Sequence, residues 1–264
     1  MSPALRLLGF CLILAHSSPL LAAETDAGNK ALMERLVRAY PERLKGYEGN
    51  DIIWSDGVRM PFDDGIRDKP FETLLDSPSL RDEFAMVYPK GAPQGSPPEN
   101  FDPGRIRYQP FFDKMYGNCE TDKIAGKFAT IEWLPKHHGG RLKVTAVNGV
   151  HKRLEEVSAE LDNLPDQYMR YLIPTSGVYS CRAIAGTNRK SMHAYAAAID
   201  INTAFSHYWR WSKDKTGSYK YQNAIPYEIA AIFEKHGFIW GAKWYHFDTM
   251  HFEYRPEILS PEPN

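Results

Sequence analysis

The sequence predicts an α+β domain, in which helices flank a mainly antiparallel sheet, preceded by a loop-rich N-terminal extension. Three observations favour this class. Helical periodicity of the apolar residues is confined to a few segments, short strand-like stretches fill the second half of the chain, and residues 46–117 are rich in turn residues. The sequence has no internal repeat, so we expect one large domain with its extension.

The first residues have the layout of a secretory signal. Arg6 precedes an apolar run at 7–15, and Ala22 and Ala23 suit cleavage by a signal peptidase. The run is shorter than the about 20 residues that span a bilayer. A membrane anchor built from the same segment is the alternative. We expect residues 1–23 to be a signal peptide and the mature chain to be exported, to the periplasm or beyond the cell, without a membrane span.

The composition limits the classes of partner. Lysine and arginine total 32 and aspartate and glutamate 33, for a formal net charge of −1. The sequence has no basic block or acidic tail, so we expect no nucleic-acid partner. The oligomeric state stays open. Cys11 leaves with the signal peptide, and Cys119 and Cys181 can pair in an oxidising compartment, although their spacing does not decide whether they do.

Residues 24–117 are predicted to form a helix and then an ordered wrap around the rest of the domain. Leu32, Leu36 and their neighbours lie at helical spacing, and the helix is expected to stop near Pro41. Long loops such as 46–117 are usually functional or disordered. Seven aromatic residues favour packing over disorder: Trp54, Phe62, Phe71, Phe84, Tyr88, Phe111 and Phe112.

Residues 118–264 are more regular. The predicted strands are FATIEWLP and RLKVTAV, joined as a hairpin by KHHGG, and then GVYSCRAIA, YAAAIDIN and MHFEYR. Two helices are predicted between them. VHKRLEEVSAELDNLPD has one apolar face, and IPYEIAAIFEKHG has Pro226 in its first turn and ends before Gly237.

Two metal-capable side chains frame the stretch from His193 to Asp200. On one helix they would lie about 10.5 Å apart along the axis, too far to share one ion at about 2 Å. As a loop followed by a strand, alternation places Ala196, Ala198, Asp200 and Asn202 on one face, where the small residues leave room for a ligand. His193 can then fold back from the loop. For these two residues alone, an ordinary hydrogen-bonded pair is the alternative.

A third candidate ligand lies in GFIWGAKWYHFDTMHFEYRPE, where Asp248 precedes His251 by three residues. His193, Asp200 and His251 would supply two imidazoles and one carboxylate. Three protein ligands with a fourth position open to water are typical of catalytic zinc, and Asp248 could accept a proton from that water. An iron oxygenase site is the alternative, although such sites usually have His and Asp closer in sequence.

These residues resemble the zinc peptidases of the D-alanyl-D-alanine carboxypeptidase type (VanY-like), which cut peptidoglycan peptides and share their fold with the hedgehog signalling domain. The family carries Ser-x-His-x-x-Gly-x-Ala-x-Asp and, later, Asp or Glu-x-x-His followed by an aromatic residue. The matching residues are Ser191, His193, Ala198 and Asp200, and then Asp248, His251 and Phe252. Ala196 departs from the family's glycine. The resemblance covers roughly residues 175–258.

The resemblance implies a hedgehog-like or D-Ala-D-Ala-peptidase-like fold, one Zn²⁺ held by the two histidines and Asp200, and a peptidoglycan peptide as substrate. It also implies that Asp248 is the general base and later the acid, and that an upstream arginine binds the substrate and stabilises the oxyanion. Arg182 matches that arginine better than Arg189, with a surface charge as the alternative for each. Ser191 is expected to contact the substrate.

Within the resemblance, removal of a terminal D-alanine is slightly favoured over endopeptidase activity. A non-catalytic wall-binding module is a further alternative, which the retention of Asp248 disfavours. Glu253 is a candidate partner for the outer nitrogen of His251, and His246 suits either the cleft or a structural role. Four tryptophans are expected mainly in the core, with a peptide-binding wall as the alternative: Trp209, Trp211, Trp240 and Trp244.

Two other motifs are interpreted as coincidences. The segment WSKDKTG combines two motifs of serine-type penicillin-binding proteins, but both would need Lys215, and they belong on separate elements. We interpret it as a polar loop. The neighbouring His137 and His138 are expected to lie in a solvated turn and not in a second metal site.

Overall fold

The computed structural model of the protein describes residues 19–122 and 124–260, so the predicted signal peptide lies largely outside the described residues. The helices are α1 (Pro19–Ala39), α2 (Phe71–Asp76), α3 (Gln109–Tyr116), α4 (Val150–Leu161), α5 (Met169–Leu172), α6 (Tyr227–Lys235) and α7 (Pro256–Leu259). The strands are β1 (Leu44–Glu48), β2 (Asp51–Trp54), β3 (Arg59–Pro61), β4 (Phe128–Glu132), β5 (Arg141–Thr145), β6 (Ala198–Asp200), β7 (Phe238–Trp240) and β8 (His251–Tyr254). In the described part of the chain, no helix is both long enough and apolar enough to cross a bilayer.

The strands form small antiparallel sheets, and the fold is mixed α and β as predicted. The strand orders are β1-β2-β3, β4-β5 and β6-β8-β7. The antiparallel pairing is as predicted, but the strands form three small sheets and not one main sheet. β8 lies in the middle of the third sheet, with β6 and β7 on its two sides.

The local signals for helices and for the hairpin are confirmed. α1 ends two residues before Pro41, and α4 buries the predicted face through Val150, Leu154 and their neighbours. β4 and β5 pair in register from Phe128 opposite Thr145 onward, so the connection between them is the predicted hairpin. Pro226 caps α6 and does not enter its first turn.

The start of the turn-rich region contains a three-stranded sheet that the sequence pattern did not predict. β1 and β2 are joined at Gly49 and Asn50, and Gly49 has a φ of 57°, in the left-handed region that glycine adopts without cost. The strands are short, and the pairing register of β1 shifts between Leu44 and Gly46, so alternation was not visible in the sequence. The loop-rich wrap that the sequence predicts therefore contains a small sheet.

The extension and the rest of the chain share one hydrophobic core. Leu36, Trp54 and Phe111 from the extension are buried in the same cluster as Phe233 and Phe252. A buried ionic contact joins the two parts as well, since Arg255 donates a hydrogen bond to Glu83 over 2.7 Å. The segment thus packs as an ordered wrap, while the exact boundary at 117/118 stays a prediction.

Two predicted strands are corrected near the site. Residues 177–185 form no strand and make only isolated bridges, Gly177 to Asp200 and Ala183 to Lys190. The predicted strand at 195–202 is reduced to β6, because Ala196 has a φ of 52° and ends the extended geometry there. Cys119 and Cys181 are joined in a disulfide, which settles the pairing that the sequence left open.

Candidate active site

The central strand of the third sheet brings two candidate ligands together. In the pairing of β6 with β8, Asp200 lies directly opposite His251. His193 lies in the short 3-10 helix Met192–Tyr195, and the left-handed Ala196 turns the chain from that helix into β6. His193 therefore folds back onto the strand ends as expected, but the predicted shared strand face with Asn202 is wrong, because Asn202 caps the next helical turn.

The three ligand atoms converge on one point. His251 Nδ1 lies 3.0 Å from Asp200 Oδ1, His193 Nε2 lies 3.2 Å from the same oxygen, and the two ring nitrogens are 3.2 Å apart. In a tetrahedral zinc site with bonds of about 2.05 Å, neighbouring ligand atoms are about 3.3 Å apart. The spacing and the donor set of two imidazoles and one carboxylate therefore fit zinc. Among the described residues, no other group of three potential ligands was found to converge in this way.

The outer nitrogen of each imidazole is held by a neighbouring acceptor. His193 Nδ1 donates to the carbonyl oxygen of Val178 over 2.7 Å, and His251 Nε2 contacts Glu253 Oε2 over 2.8 Å. A carbonyl oxygen can only accept, so the lone pair of His193 is left on Nε2, the atom that faces Asp200. Such contacts orient the rings of metal-binding histidines and fix their tautomers. The candidate contact between His251 and Glu253 is present.

The electrostatics favour a positive charge at the convergence point. Burial opposes the ionised imidazole, but the hydrogen bonds with Asp200 and Glu253 raise the pKa of His251 to about 10. Burial likewise opposes the Asp200 carboxylate, yet its interactions with the neighbouring imidazoles of His193 and His251 hold the pKa of Asp200 well below the usual range. The negative groups thus stabilise a cation here, either a proton on His251 or a metal ion.

Asp248 lies beside the three candidate ligands. It lines the same cavity, of about 250 Å³, as His193, Asp200 and His251. Its Oδ1 is buried and has no hydrogen-bond partner within the described residues. Burial, and then the negative charge of Asp200, raise the pKa of Asp248 to about 6. A buried carboxylate with a raised pKa and an unused acceptor is suited to take up a proton.

A glycine sets the position of Asp248. The amide of Asp248 donates to the carbonyl oxygen of Gly241 over 3.0 Å, and its own carbonyl accepts from the amide of His251 over 3.2 Å. A Cβ atom at position 241 would lie 2.4 Å from the carbonyl oxygen of Asp248, closer than real contacts allow. The close approach of these two backbone segments therefore requires glycine.

Residues 185–254 match the family model described as D-alanyl-D-alanine carboxypeptidase. The chain resembles this peptidase family. The matched segment includes His193, Asp200, Asp248 and His251, which are the residues that the structure brings together. The match supports a peptidase of the D-alanyl-D-alanine carboxypeptidase family and hence a peptide substrate. No curated protein and no solved structure matches the chain significantly.

The arginine expected from the peptidase family lines the same cavity. Arg182 is exposed at its edge, and it directly follows Cys181 of the disulfide to Cys119. Ser191 also lines the cavity, but its hydroxyl accepts a hydrogen bond from the amide of His193 over 3.3 Å. Ser191 thus caps the short helix that carries the candidate ligand His193.

Arg189 lies elsewhere. Its guanidinium pairs with Asp76 over 3.1 Å and lines a neighbouring cavity, not the one with the candidate ligands. The structure therefore separates the two arginines that the sequence offered for one role, and Arg182 is the one that lines the same cavity as Asp248.

Two arginines of the extension were missed. Arg105 and Arg107 line the active-site cavity, although they precede the family match by about 80 residues. The only local signal was the alternation in RIR, where Ile106 is buried and its neighbours point to the opposite side of an extended segment. Arg107 donates from Nε and Nη2 to the two carboxylate oxygens of Glu253, the first over 3.0 Å.

The remaining candidates divide between cleft and surface. His246 lines the cavity and contacts the buried carboxylate of Asp102 over 2.7 Å, so it has both of the roles that the sequence left open. Trp240 and Trp244 are both buried in hydrophobic clusters, and Trp244 also lines the cavity, as does the exposed Trp211. The tryptophans therefore serve both the core and the cavity wall.

The two motifs interpreted as coincidences lie outside the cavity. Thr216 donates to Asp214 in an exposed turn, as expected for a polar loop. His137 contacts Asp162 over 2.8 Å in an exposed turn of the β4–β5 hairpin, and His138 adopts the left-handed conformation there.

Proposed function

We propose that this chain is an exported zinc metallopeptidase that hydrolyses peptidoglycan stem peptides, with removal of a terminal D-alanine as its favoured reaction. One observation carries the proposal. Three atoms suited to zinc lie 3.0–3.2 Å from one another beside the buried, unpaired carboxylate oxygen of Asp248. All four residues fall within the segment that matches the peptidase family.

His193, Asp200 and His251 would hold the zinc. When bound, the ion would polarise the scissile carbonyl and lower the pKa of a water molecule in the site. The protein supplies the rest. The contacts of the histidines with Val178 and Glu253 keep their metal-facing nitrogens in place, so the site needs little rearrangement on binding.

Asp248 would move the proton. Its Oδ1 is buried and has no competing hydrogen bond among the described residues, so this oxygen is available to accept a proton. It would accept one proton from the attacking water and return it to the departing amine. The water oxygen ends in the new carboxylate, the C–N bond breaks, and no covalent enzyme intermediate is required.

Arg182 would stabilise the oxyanion. Its side chain lines the cavity on the exposed side, where it can donate to an oxygen that gains negative charge as the carbonyl is attacked. Loss of one such donor typically costs about 100- to 1,000-fold in turnover. The disulfide next to Arg182 supports this role, because it restrains the loop that carries the guanidinium.

The choice of a carboxypeptidase rests on the cations around the cleft. A carboxypeptidase needs a positive group near the free carboxylate of its substrate, and Arg105 and Arg107 of the extension line the same cavity as the candidate ligands. Export is supported by the signal-like residues 1–23 and by the disulfide, since disulfides persist mainly in oxidising compartments.

Mass spectrometry of defined stem peptides tests the proposal. The wild-type chain should remove one alanine from pentapeptide stems and leave cross-linked dimers intact, whereas the Asp248→Asn variant should bind zinc but show almost no turnover. Cleavage of the dimers, or of the bond between L-alanine and D-glutamate, would move the assignment to an endopeptidase. No cleavage of any stem peptide by the zinc-loaded wild type would favour a non-catalytic wall-binding module.

The metal is tested separately. Protein purified without added metal should contain zinc, as measured by elemental analysis, and a chelator should abolish activity that added zinc restores. Iron in place of zinc, or full activity in metal-free protein, would refute the zinc assignment.

A further inference from the structure

A second cavity, of about 160 Å³, adjoins the candidate active site, and Arg105 and Arg107 line both cavities. Arg189 completes a lining of three guanidinium groups. We infer that this second cavity is an anion subsite, which binds a free carboxylate of the peptide substrate while the scissile bond lies beside Asp248. The inference rests on the proposed function, and it assigns a substrate-recognition role to the extension.

Two of the arginines are held in fixed positions. Arg105 pairs with Asp102 over 2.7 Å, and Arg107 binds both oxygens of Glu253. Both carboxylates are fully buried. Each also serves another positive or titratable group, since Asp102 contacts His246 and Glu253 contacts His251 and Arg255. The two acids are thus shared, and the arginines stay oriented without their charge being fully neutralised.

Arg189 has a weaker partner. Its side chain is 23% exposed, whereas that of Asp76, with which it pairs over 3.1 Å, is 64% exposed. An ion pair with such an exposed carboxylate contributes little, because water and salt screen it. Burial, and then the charges of Arg105 and Arg107, lower the pKa of Arg189. A substrate carboxylate in the cavity would relieve this repulsion and could displace Asp76.

The other cation of the cavity is already committed. Lys190 Nζ lies 2.8 Å from Asp113, which also accepts a hydrogen bond from the Tyr195 hydroxyl over 2.7 Å. Arg189 is therefore the group best placed to gain from a new anion. The planar guanidinium can bind a carboxylate through two parallel hydrogen bonds, and the cavity exceeds by far the about 15 Å³ that one water needs.

Two carboxylates of a stem peptide have this chemistry. One is the carboxylate at the C-terminus, and the other is an internal carboxylate, such as the α-carboxylate of a γ-linked glutamate. Both are planar and negatively charged, so the cavity alone would accept either. The experiment therefore uses ligands in which one or the other carboxylate is converted into an amide.

Binding is measured by calorimetry on the zinc-loaded, full-length Asp248→Asn chain, so that the ligand is not consumed. The first ligand pair is acetyl-lysyl-D-alanyl-D-alanine and its C-terminal amide. The second is a stem tetrapeptide with the internal carboxylate free or amidated. Arg189→Gln should weaken binding of the relevant acid by at least about tenfold, as expected for the loss of a charge-assisted hydrogen bond. It should leave binding of the corresponding amide unchanged.

Two further variants guard against a general structural effect. Arg153→Gln is the matched control, because Arg153 also pairs with an exposed carboxylate, that of Glu156 over 2.9 Å, but does not line either cavity. It should bind all ligands as the parent does. Asp76→Asn should tighten binding of the acid by up to about fivefold, since it removes the partner that competes for Arg189.

The outcomes separate the subsite from the proposed reaction. If amidation of the C-terminal carboxylate weakens binding to the parent but not to Arg189→Gln, the subsite binds the terminal carboxylate. If amidation of the internal carboxylate has this effect, the subsite binds the internal one. Equal affinity for acid and amide in both pairs, or a loss in Arg189→Gln that affects acids and amides alike, overturns the inference. Because binding needs no turnover, these results stand even if the wild type proves to hydrolyse no stem peptide.

Discussion

Replacing Asp248 by asparagine should stabilise the metal-free protein at neutral pH while abolishing turnover. The ordinary pKa of 3.8 rises to about 6 in the folded protein because the carboxyl is buried and lies near the charge of Asp200. The folded chain must therefore hold a charge in an environment that disfavours it. Asparagine has nearly the same shape and no charge, so the variant is free of this cost.

The magnitude follows from the pKa shift. Each unit corresponds to about 1.4 kcal/mol, so the rise of the Asp248 pKa lowers the free energy of unfolding by about 3 kcal/mol above pH 6. Below about pH 4 the carboxyl is protonated in both the folded and the unfolded chain, and the cost disappears. Between these limits the folded state binds more protons than the unfolded state, so wild-type stability falls as the pH rises. The gain in Asp248→Asn should grow over the same interval.

Urea unfolding of chelator-treated protein between pH 4 and 8 measures this difference. Glu99→Gln is a suitable control, because the side chain of Glu99 is exposed and its replacement should change stability little at any pH. The reasoning would be refuted if Asp248→Asn were no more stable than the wild type at pH 7. A gain at pH 4 as large as that at pH 7 would also refute it, since the effect would not then come from the charge.

Three further predictions address the metal, the disulfide and the turn between the two ligands. His193→Ala should lose zinc in competition with a chromophoric chelator, because one of three protein ligands is removed; wild-type affinity would exclude His193 as a ligand. Replacing both Cys119 and Cys181 by serine removes a cross-link between residues that are 62 positions apart. The double variant should have a free energy of unfolding lower by up to about 4 kcal/mol, measured by urea denaturation. If the double variant unfolded with the same free energy as the wild type, the disulfide would not stabilise the folded chain as expected. Ala196→Gly should change stability by less than about 1 kcal/mol, because relief of the left-handed backbone offsets the loss of a buried methyl group; a loss above about 2 kcal/mol would show that the methyl group is essential for packing.

The candidate site shows how much can be predicted from residues that lie close together in the chain. Two motifs, together with their resemblance to the peptidase family, predicted that His193, Asp200, Asp248 and His251 should meet, although the strand assumed across 195–202 was longer than the structure has. The helical face of α4 and the β4–β5 hairpin were also predictable, since periodicity and turn residues act over a few positions.

The glycine that the peptidase family usually has at position 196 acquires a physical reason only in the structure. Ala196 adopts a φ of 52°, which glycine reaches without cost, and this turn is what brings His193 back to β6. The sequence showed the departure from the family pattern, but the strand assumed across it concealed the turn.

By itself, the sequence determined the two motifs, the helices with clear periodicity and the mixed α and β class, all of which depend on residues close together in the chain. Only the tertiary structure decided that Cys119 pairs with Cys181, that the turn-rich extension contains a sheet, and that Arg107 binds Glu253 from 146 residues away. Contacts of that range depend on how the whole core packs, because a side chain's distant partner leaves no pattern in the residues around it. The arginines of the second cavity belong to this group: their places in the chain are far apart, and folding of the extension onto β8 makes them neighbours.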